Sequence, residues 1–226
     1  MRSGEMIPSM TEIILMSHPK VTTVPVADRG EPLVDLRDVD ALPVDPRQAD
    51  PLGAYAHLRA GVVDRLLYAQ ELLPDGLRLL VVEGYRPLSL QRAYFEEYAA
   101  ELRALHPDRP AAEIHTAASR YVSPPEIAPR SAGAAVDLTL ADADGTELDL
   151  GTRMNASPEE SAGACCTDAA TIGPAARANR KVLGAALGAA GLVNYPTEWW
   201  HWSYGDRYWA MATGAEHALY GPREPN

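Results

Sequence analysis

Ser131-Ala-Gly-Ala-Ala-Val-Asp-Leu-Thr-Leu140 stands near the middle of the 226-residue chain and decides which fold the sequence predicts. Its second half, Ala135 to Leu140, predicts a strand. Asp142 to Gly145 then predicts a turn, after which Thr146 to Leu150 would pair back as a hairpin. A Pro-rich loop at 123–129 precedes the stretch. The centre of the chain is therefore expected to contribute strands to a small sheet.

Outward from this stretch, helical and strand-like segments are mixed without a strict β-α-β order. Leu77 to Val82 is an apolar run that predicts a buried strand, and it leads directly into Glu83-Gly-Tyr-Arg-Pro87. Apolar residues at helical spacing predict helices over 52–73, 88–105, 111–121 and 177–190, while 192–209 is aromatic and strand-like. We therefore predict an α+β fold: a single domain in which a small central, mostly antiparallel sheet is flanked by helices.

The composition of the chain limits which partners and which cellular compartment we expect. The formal net charge of −11 argues against nucleic acid or an anionic membrane as partner, because both bind basic patches. The N-terminus offers only a four-residue apolar run, Ile13 to Met16, which is too short for a secretory signal or a membrane span. The two cysteines, Cys165 and Cys166, are adjacent and suit a reducing compartment. We expect a cytoplasmic protein.

A third segment, Pro196-Thr-Glu-Trp-Trp-His-Trp-Ser-Tyr-Gly-Asp-Arg-Tyr-Trp209, contains Glu198 and His201 at spacing i, i+3. That spacing shares a face on a helix or tight turn but opposes faces on a regular strand. Because the segment is strand-like, spacing alone does not bring the two side chains together. The alternative interpretation is a buried aromatic cluster with a hydrogen-bonded histidine.

Taken together, the three quoted segments resemble the D-alanyl-D-alanine dipeptidase family of the vancomycin-resistance type, within the wider zinc D,D-peptidases. The likeness runs from about Val34 to Trp209, which leaves 1–33 as an N-terminal extension and 210–226 as a tail. It implies a small amino-acid or dipeptide-like substrate. It also implies a general base/acid at Glu198, zinc ligands at Asp137 and His201, a stabilising cation at Arg86, and substrate contacts from Tyr85, Asn155 and Trp200. The alternative for Arg86 is a structural ion pair with Glu83.

The chain departs from the family pattern at Arg130. The family has a histidine three residues before the glycine of the middle motif and seven before its aspartate. Counting back from Gly133 and from Asp137 leads to Arg130 both times. A guanidinium has no free lone pair, stays protonated and repels a dication, whereas a catalytic zinc normally holds three protein ligands. We therefore expect no cofactor, with zinc at most weakly bound.

A second departure concerns recognition of the substrate. The family segment Met-Gly-Thr/Ser-x-Phe-Asp corresponds here to Leu150-Gly-Thr-Arg-Met-Asn155. By resemblance its final aspartate pairs with the free ammonium of the dipeptide. Asn155 keeps the hydrogen bonding but loses the charge, and a charge-assisted bond is roughly twice as strong as a neutral one. Recognition of a free amine is therefore expected to weaken.

These departures predict a rebuilt site, with Arg130 paired to Asp137 as a fixed cation and Glu198 and His201 as proton-transfer groups. Such a site would act on a small amino-acid- or peptide-derived molecule. Two alternatives stay open: a zinc-dependent dipeptidase with a compensating ligand, and a non-catalytic small-molecule- or peptide-binding protein. The residues able to supply a compensating ligand are His57, His106, His115, Cys165 and Cys166.

Overall fold

The computed structural model describes residues 13–119 and 122–224. Short strands alternate irregularly with helices, as the sequence predicts. In chain order the elements are α1 (Pro19–Thr22), β1 (Leu33–Asp35), β2 (His57–Arg59), α2 (Ala60–Glu71), β3 (Arg78–Glu83), α3 (Leu88–Leu105), α4 (Ala111–Ala118), β4 (Ala135–Ala141), α5 (Pro174–Ala189), β5 (Val193–Asn194), β6 (His201–Ser203) and α6 (Arg207–Thr213).

The main sheet has the strand order β3-β4-β6-β5, and every neighbouring pair in it is antiparallel. A second, two-stranded sheet joins β1 to β2. The predicted α+β class, with a small antiparallel sheet and helices, is confirmed. The expected hairpin over 146–150 is reduced to one bridge between Ala141 and Glu147, closed by a turn in which the Gly145 amide donates to the Asp142 carbonyl.

Two segments differ from the sequence prediction. Residues 57–59 were expected to lie within a helix over 52–73, but they form β2, and the helix begins at Ala60. The apolar spacing continues across this boundary, so it does not reveal that β1 pairs with β2. The strand-like segment 192–209 contains two short strands, and a turn separates them. Its last three residues begin α6, whose first turn is capped by the Asp206 side chain.

The main sheet has one apolar and one polar face. Val136, Leu138 and Leu140 alternate along β4 and lie in the main core cluster, together with apolar residues of α2 and α5 such as Leu66 and Leu183. The intervening residues of β4 face the other way, because successive side chains in a strand alternate between faces. Asp137 is therefore on the face opposite the core, and yet it is fully buried.

The two ends of the described chain pack against each other. Val26 bridges to Ala218, and the Arg207 side chain donates to the carbonyl of Thr22 in α1. Residues at both ends are buried in clusters that also contain residues of the expected family-like core, among them Met16 and Tyr220. Within the described residues, no helix combines the length and hydropathy needed to cross a membrane.

Candidate active site

A cavity of about 460 Å³ lies over the polar face of the sheet, between the sheet and α3. Most of the residues that the sequence predicts to be functional meet in its lining. These are Arg86, Arg130, Asn155, Glu198, Trp200 and His201, joined by Glu83. Asp137 lies beneath them in β4.

Strand register places three ionisable side chains next to one another. Asp137 is the Cα partner of Glu83 on one side and of His201 on the other. Directly opposed residues in neighbouring strands point to the same face. A β-bulge makes this possible, because the register shifts between Val81 and Glu83 and leaves one extra residue there. Without the bulge, Val82 would oppose Asp137 and Glu83 would be displaced from the site.

Arg130 begins a short 3₁₀ turn, Arg130–Ala132, that leads into β4. The turn ends at Gly133, whose φ of 66° is a left-handed conformation that glycine adopts without strain. A Cβ at Gly133 would stand 2.5 Å from Cδ2 of Leu33, so a side chain here would force the Leu33 side chain to move. The buried Arg59 side chain fixes the same turn, since its Nε donates to the Ala132 carbonyl at 2.7 Å.

The Arg130 guanidinium contacts both zinc-ligand candidates and Glu83. Its Nη2 donates to Asp137 Oδ2 in a short ion pair and lies 3.3 Å from His201 Nδ1. Its Nη1 lies 3.1 Å from Glu83 Oε2. A single nitrogen of Arg130 therefore stands within contact distance of both Asp137 and His201.

These contacts fix the charge states of the pair. Burial by itself raises the pKa of Asp137, but Arg130 and His201 more than offset it and hold that pKa below its ordinary value. Burial likewise lowers the pKa of Arg130, and the carboxylates of Asp137 and Glu83 reverse this and raise it. The pair is an aspartate and a guanidinium at every physiological pH.

His201 Nδ1 lies 3.1 Å from Asp137 Oδ1. We assign the Nδ1 proton to this bond, because a charged acceptor makes the stronger hydrogen bond. That tautomer leaves the lone pair of a neutral imidazole on Nε2. Nε2 is buried and has no hydrogen-bond partner among the described residues.

Glu198 sits in the turn between β5 and β6. Its amide donates to the Tyr195 carbonyl and its carbonyl accepts from the His201 amide, so the turn folds the i, i+3 pair together. Glu198 Oε2 lies 3.8 Å from His201 Nδ1. Burial raises the pKa of the Glu198 carboxyl, an effect that Asp137 adds to and that His201, Arg130 and Arg86 oppose. A carboxyl with a raised pKa is suited to transferring protons near neutral pH.

Arg86 is the second guanidinium of the cavity. Glu83 accepts from its Nε at 2.7 Å and from its Nη2 at 2.6 Å, and Gln91 accepts from its Nη1 at 3.0 Å. The ring of Tyr94 lies beneath it at 4.9 Å. The ion pair with Glu83 is therefore present, and the same guanidinium also lines the cavity. Its backbone is tied to the other arginine, since the Arg86 amide donates to the Arg130 carbonyl.

The three expected substrate contacts have different surroundings. Tyr85 is not in the cavity lining: it is buried, its hydroxyl donates to the Arg223 carbonyl at 2.6 Å, and burial raises its pKa to about 12. The structure thus places Tyr85 among packing residues. Trp200 lines the cavity, and its buried Nε1 has no hydrogen-bond partner among the described residues. Asn155 lines the cavity with a φ of 60°, a conformation that asparagine tolerates better than most residues.

Sequence reasoning did not identify several residues of the cavity lining. Gln91 and Tyr94 come from the first turns of α3, directly after the Arg86 loop, and the helical pattern there could have indicated one face turned to the site. Others carry no local signal because chain folding alone brings them in. They include Met16, Gln48, Ser123 and Tyr195, whereas Glu97, Tyr98 and Glu101 continue the same face of α3 as Gln91 and Tyr94.

The candidates for a compensating ligand lie outside the cavity lining. His57 contacts Asp35 at 3.7 Å, His115 packs against Phe95 in a tilted arrangement with ring centroids 4.9 Å apart, and His106 caps the end of α3. Cys165 and Cys166 line a neighbouring cavity. Within residues 13–119 and 122–224, no three His, Cys, Asp or Glu side chains are grouped closely enough to hold a metal ion.

Fold and site together define a class: an α+β protein whose cavity gathers carboxylates, a histidine and two guanidiniums over the polar face of its sheet. A family model described as D-ala-D-ala dipeptidase matches residues 59–217. The chain therefore belongs to the D-Ala-D-Ala dipeptidase family.

Individual relatives agree with this assignment. The chain is 30% identical over 225 residues to a D-alanyl-D-alanine dipeptidase of Synechocystis, covering 86% of this chain and 90% of the relative. It is 32% identical over 127 residues to the Escherichia coli D-alanyl-D-alanine dipeptidase, covering 56% and 55%. Among solved structures it is similar to the LdcB LD-carboxypeptidase, with a TM-score of 0.46, 18% identity, and coverage of 84% and 76%.

Proposed function

We propose that this member of the D-Ala-D-Ala dipeptidase family is an enzyme that works without a catalytic zinc. In this proposal the Arg130 guanidinium supplies the positive charge of the site, Arg86 supplies a second cation, and Glu198 and His201 transfer protons. The substrate is a small molecule derived from an amino acid or peptide. One observation carries the proposal: Nη2 of Arg130 contacts both Asp137 and His201, the two side chains that the family resemblance marks as metal ligands.

The residues at this place do not fit a catalytic zinc. A metal bound to Asp137 and His201 would have to share their contact zone with a guanidinium, which repels a dication and offers it no lone pair. The His201 nitrogen that faces Asp137 is the same atom that approaches Arg130. Zinc sites of catalytic type hold three protein ligands, and here two side chains of suitable chemistry face each other. No step of the proposed chemistry therefore uses a metal.

The remaining groups support chemistry at a carbonyl or carboxylate. Two guanidiniums whose side chains are largely buried stabilise negative charge that develops on an oxygen, since electrostatic interactions strengthen as water is excluded. Glu198, with its raised pKa, takes or gives the proton beside that oxygen. Proton abstraction, elimination, cyclisation and acyl transfer all fit these parts. Formation of hydroxide at neutral pH, which zinc would provide, does not.

The proposal is tested with N-acetyl-D-alanine as a carboxylate probe and D-Ala-D-Ala as the family substrate, each with and without excess chelator. Calorimetric titration is expected to show binding of N-acetyl-D-alanine, weakened at least about tenfold in Arg86→Met, because a charge-assisted hydrogen bond is lost. Release of D-alanine from the dipeptide is expected to be absent, with or without chelator. Chelator-sensitive release by the unaltered protein would contradict the zinc-free site.

The second candidate function is a zinc-dependent D-Ala-D-Ala dipeptidase. The observation that favours it is the 30% identity to a protein of that name over most of both chains. It requires Arg130 to swing away from Asp137 so that a third ligand can enter. It predicts one equivalent of zinc in the purified protein and loss of dipeptide cleavage on chelation.

A further inference from the structure

A second cavity of about 540 Å³ adjoins the active-site cavity. The two cavities share Glu198 and Tyr98 in their linings. Glu198 is the proposed proton-transfer group, so the second cavity opens beside the place where chemistry is expected. A substrate held at Glu198 therefore has space on two sides.

The two spaces differ in chemistry. The active-site cavity contains the guanidiniums of Arg86 and Arg130 together with several carboxylates. Apolar side chains make up much of the second cavity, including Ile13, Leu15, Leu102 and Pro158. Its charged lining residues are Arg109, Glu159 and the shared Glu198. A ligand that spans both would carry a polar head and an apolar extension.

The N-terminal segment forms a wall of both cavities. Met16 lines the active-site cavity, while Ile13 and Leu15 line the second one. Met16 is held in place, because its amide donates to the Tyr195 hydroxyl at 3.4 Å and its sulfur accepts from the Ser123 hydroxyl at 2.9 Å. These residues precede the part of the chain that the family model matches, which begins at residue 59.

We propose that the second cavity binds an apolar group of the substrate, so that the enzyme acts on an amino-acid-derived carboxylate with a hydrophobic extension, such as an N-acyl amino acid. The carboxylate lies with Arg86 and Arg130, the amide lies beside Glu198, and the acyl chain passes Tyr98 into the second cavity. This inference rests on the proposed function for the position of the head group. It adds the class of substrate.

Cys166 provides a direct reporter of occupancy. Its half-buried thiol lines the second cavity and is absent from the lining of the first, whereas the neighbouring Cys165 is fully buried. A ligand that fills the second cavity must therefore slow alkylation of Cys166. Burial raises the pKa of the Cys166 thiol, so the reaction is followed at alkaline pH, where the thiolate is populated.

The experiment compares N-octanoyl-D-alanine with N-acetyl-D-alanine, which have the same head and differ in chain length. Each buried methylene contributes about a fourfold change in affinity, so two suffice for roughly tenfold. Calorimetry is expected to show at least tenfold tighter binding of the octanoyl compound. Mass spectrometry is expected to show that it alone slows alkylation of Cys166 by N-ethylmaleimide, with Cys166→Ser identifying the labelled site.

A pair of variants on α4 provides the structural control. Ala117 lines the second cavity and Ala112 does not, and Phe at 117 would fill part of the space. Ala117→Phe is expected to remove the preference for the octanoyl compound, while Ala112→Phe keeps it. Equal affinities, tighter binding without protection of Cys166, or failure of both probes to bind would overturn the inference. The proposed function is judged separately, by release of D-alanine from D-Ala-D-Ala with and without chelator, a reaction on which this inference makes no prediction.

Discussion

Arg130 forms a buried ion pair with Asp137, seven residues further along the chain and on the far side of the turn at Gly133. The pair sits on the polar face of the sheet, with His201 and Glu83 on the two neighbouring strands. A structural contact of this kind satisfies an otherwise costly buried carboxylate. The same contact gives the cavity a fixed cation, so stability and proposed function depend on one side chain.

Loss of the Arg130 charge is expected to destabilise the protein strongly. Arg130→Met leaves Asp137 without its guanidinium partner, and removal of one member of a buried pair typically costs about 3–5 kcal/mol. Urea denaturation at pH 7 measures the change. Arg153→Met is the matched control, because its ion pair with Glu160 is exposed and water screens such pairs, so its loss should change stability little. Equal losses for the two variants would contradict the buried-pair assignment.

Glu198 is expected to lower stability at neutral pH. Burial raises the pKa of its carboxyl above the ordinary value of 4.5, so the folded protein binds this proton more tightly than the unfolded chain does. Glu198 therefore lowers the free energy of unfolding less and less as the pH falls through the raised pKa toward 4.5. Glu198→Gln removes the cost of the buried charge and should raise the melting temperature at pH 7, with the gain disappearing near pH 4.

Glu198→Gln is also expected to slow turnover of the enzyme's substrate, since a positioned proton-transfer group contributes roughly 10²–10⁴-fold to a reaction rate. Glu97→Gln is the control, because Glu97 lines the cavity but is exposed to solvent. It should change neither the melting temperature nor its dependence on pH. A Glu198→Gln protein that is less stable at pH 7 would show that the charged carboxylate is favourably held, contrary to the account.

Gly133 is expected to be essential for the position of Arg130. Gly133→Ala forces a residue with a Cβ into a left-handed conformation and also drives that Cβ into Leu33. Gly145→Ala separates the two effects, because Gly145 has a φ of 83° but open space around it. We expect about 1 kcal/mol of destabilisation for Gly145→Ala and a further 1–3 kcal/mol for Gly133→Ala, from overpacking. Thermal unfolding of the two variants measures the difference.

Local patterns predicted much of the fold. The helix over 88–105 and the strands around 77–82 and 135–140 were predicted almost to the residue, because their apolar periodicity is long and uninterrupted. The strand at 57–59 was missed, since the apolar spacing of the following helix runs through it. The turn that brings Glu198 to His201 was also not predicted, because its aromatic residues are typical of a strand.

Site residues that match a family motif could be predicted from the sequence. Residues that reach the site through the pairing register of the strands could not. The family resemblance placed Arg130 at a ligand position and led to the expected pairing with Asp137, and the structure contains that contact. Glu83 contacts both Arg86 and Arg130 because of the bulge in β3. The apolar pattern of that strand does not predict the bulge. Tyr85 was expected at the site from the family resemblance, but its hydroxyl donates to the Arg223 backbone carbonyl instead.

The central claim is that Arg130 takes the place of a metal between Asp137 and His201. Calorimetric titration of metal-free protein with Zn²⁺, run in parallel on the unaltered chain and on Arg130→His, tests it most directly. The account predicts that the unaltered chain binds no stoichiometric zinc, while Arg130→His gains one equivalent that His201→Ala removes. One equivalent of tightly bound zinc in the unaltered chain, lost in His201→Ala, would contradict it.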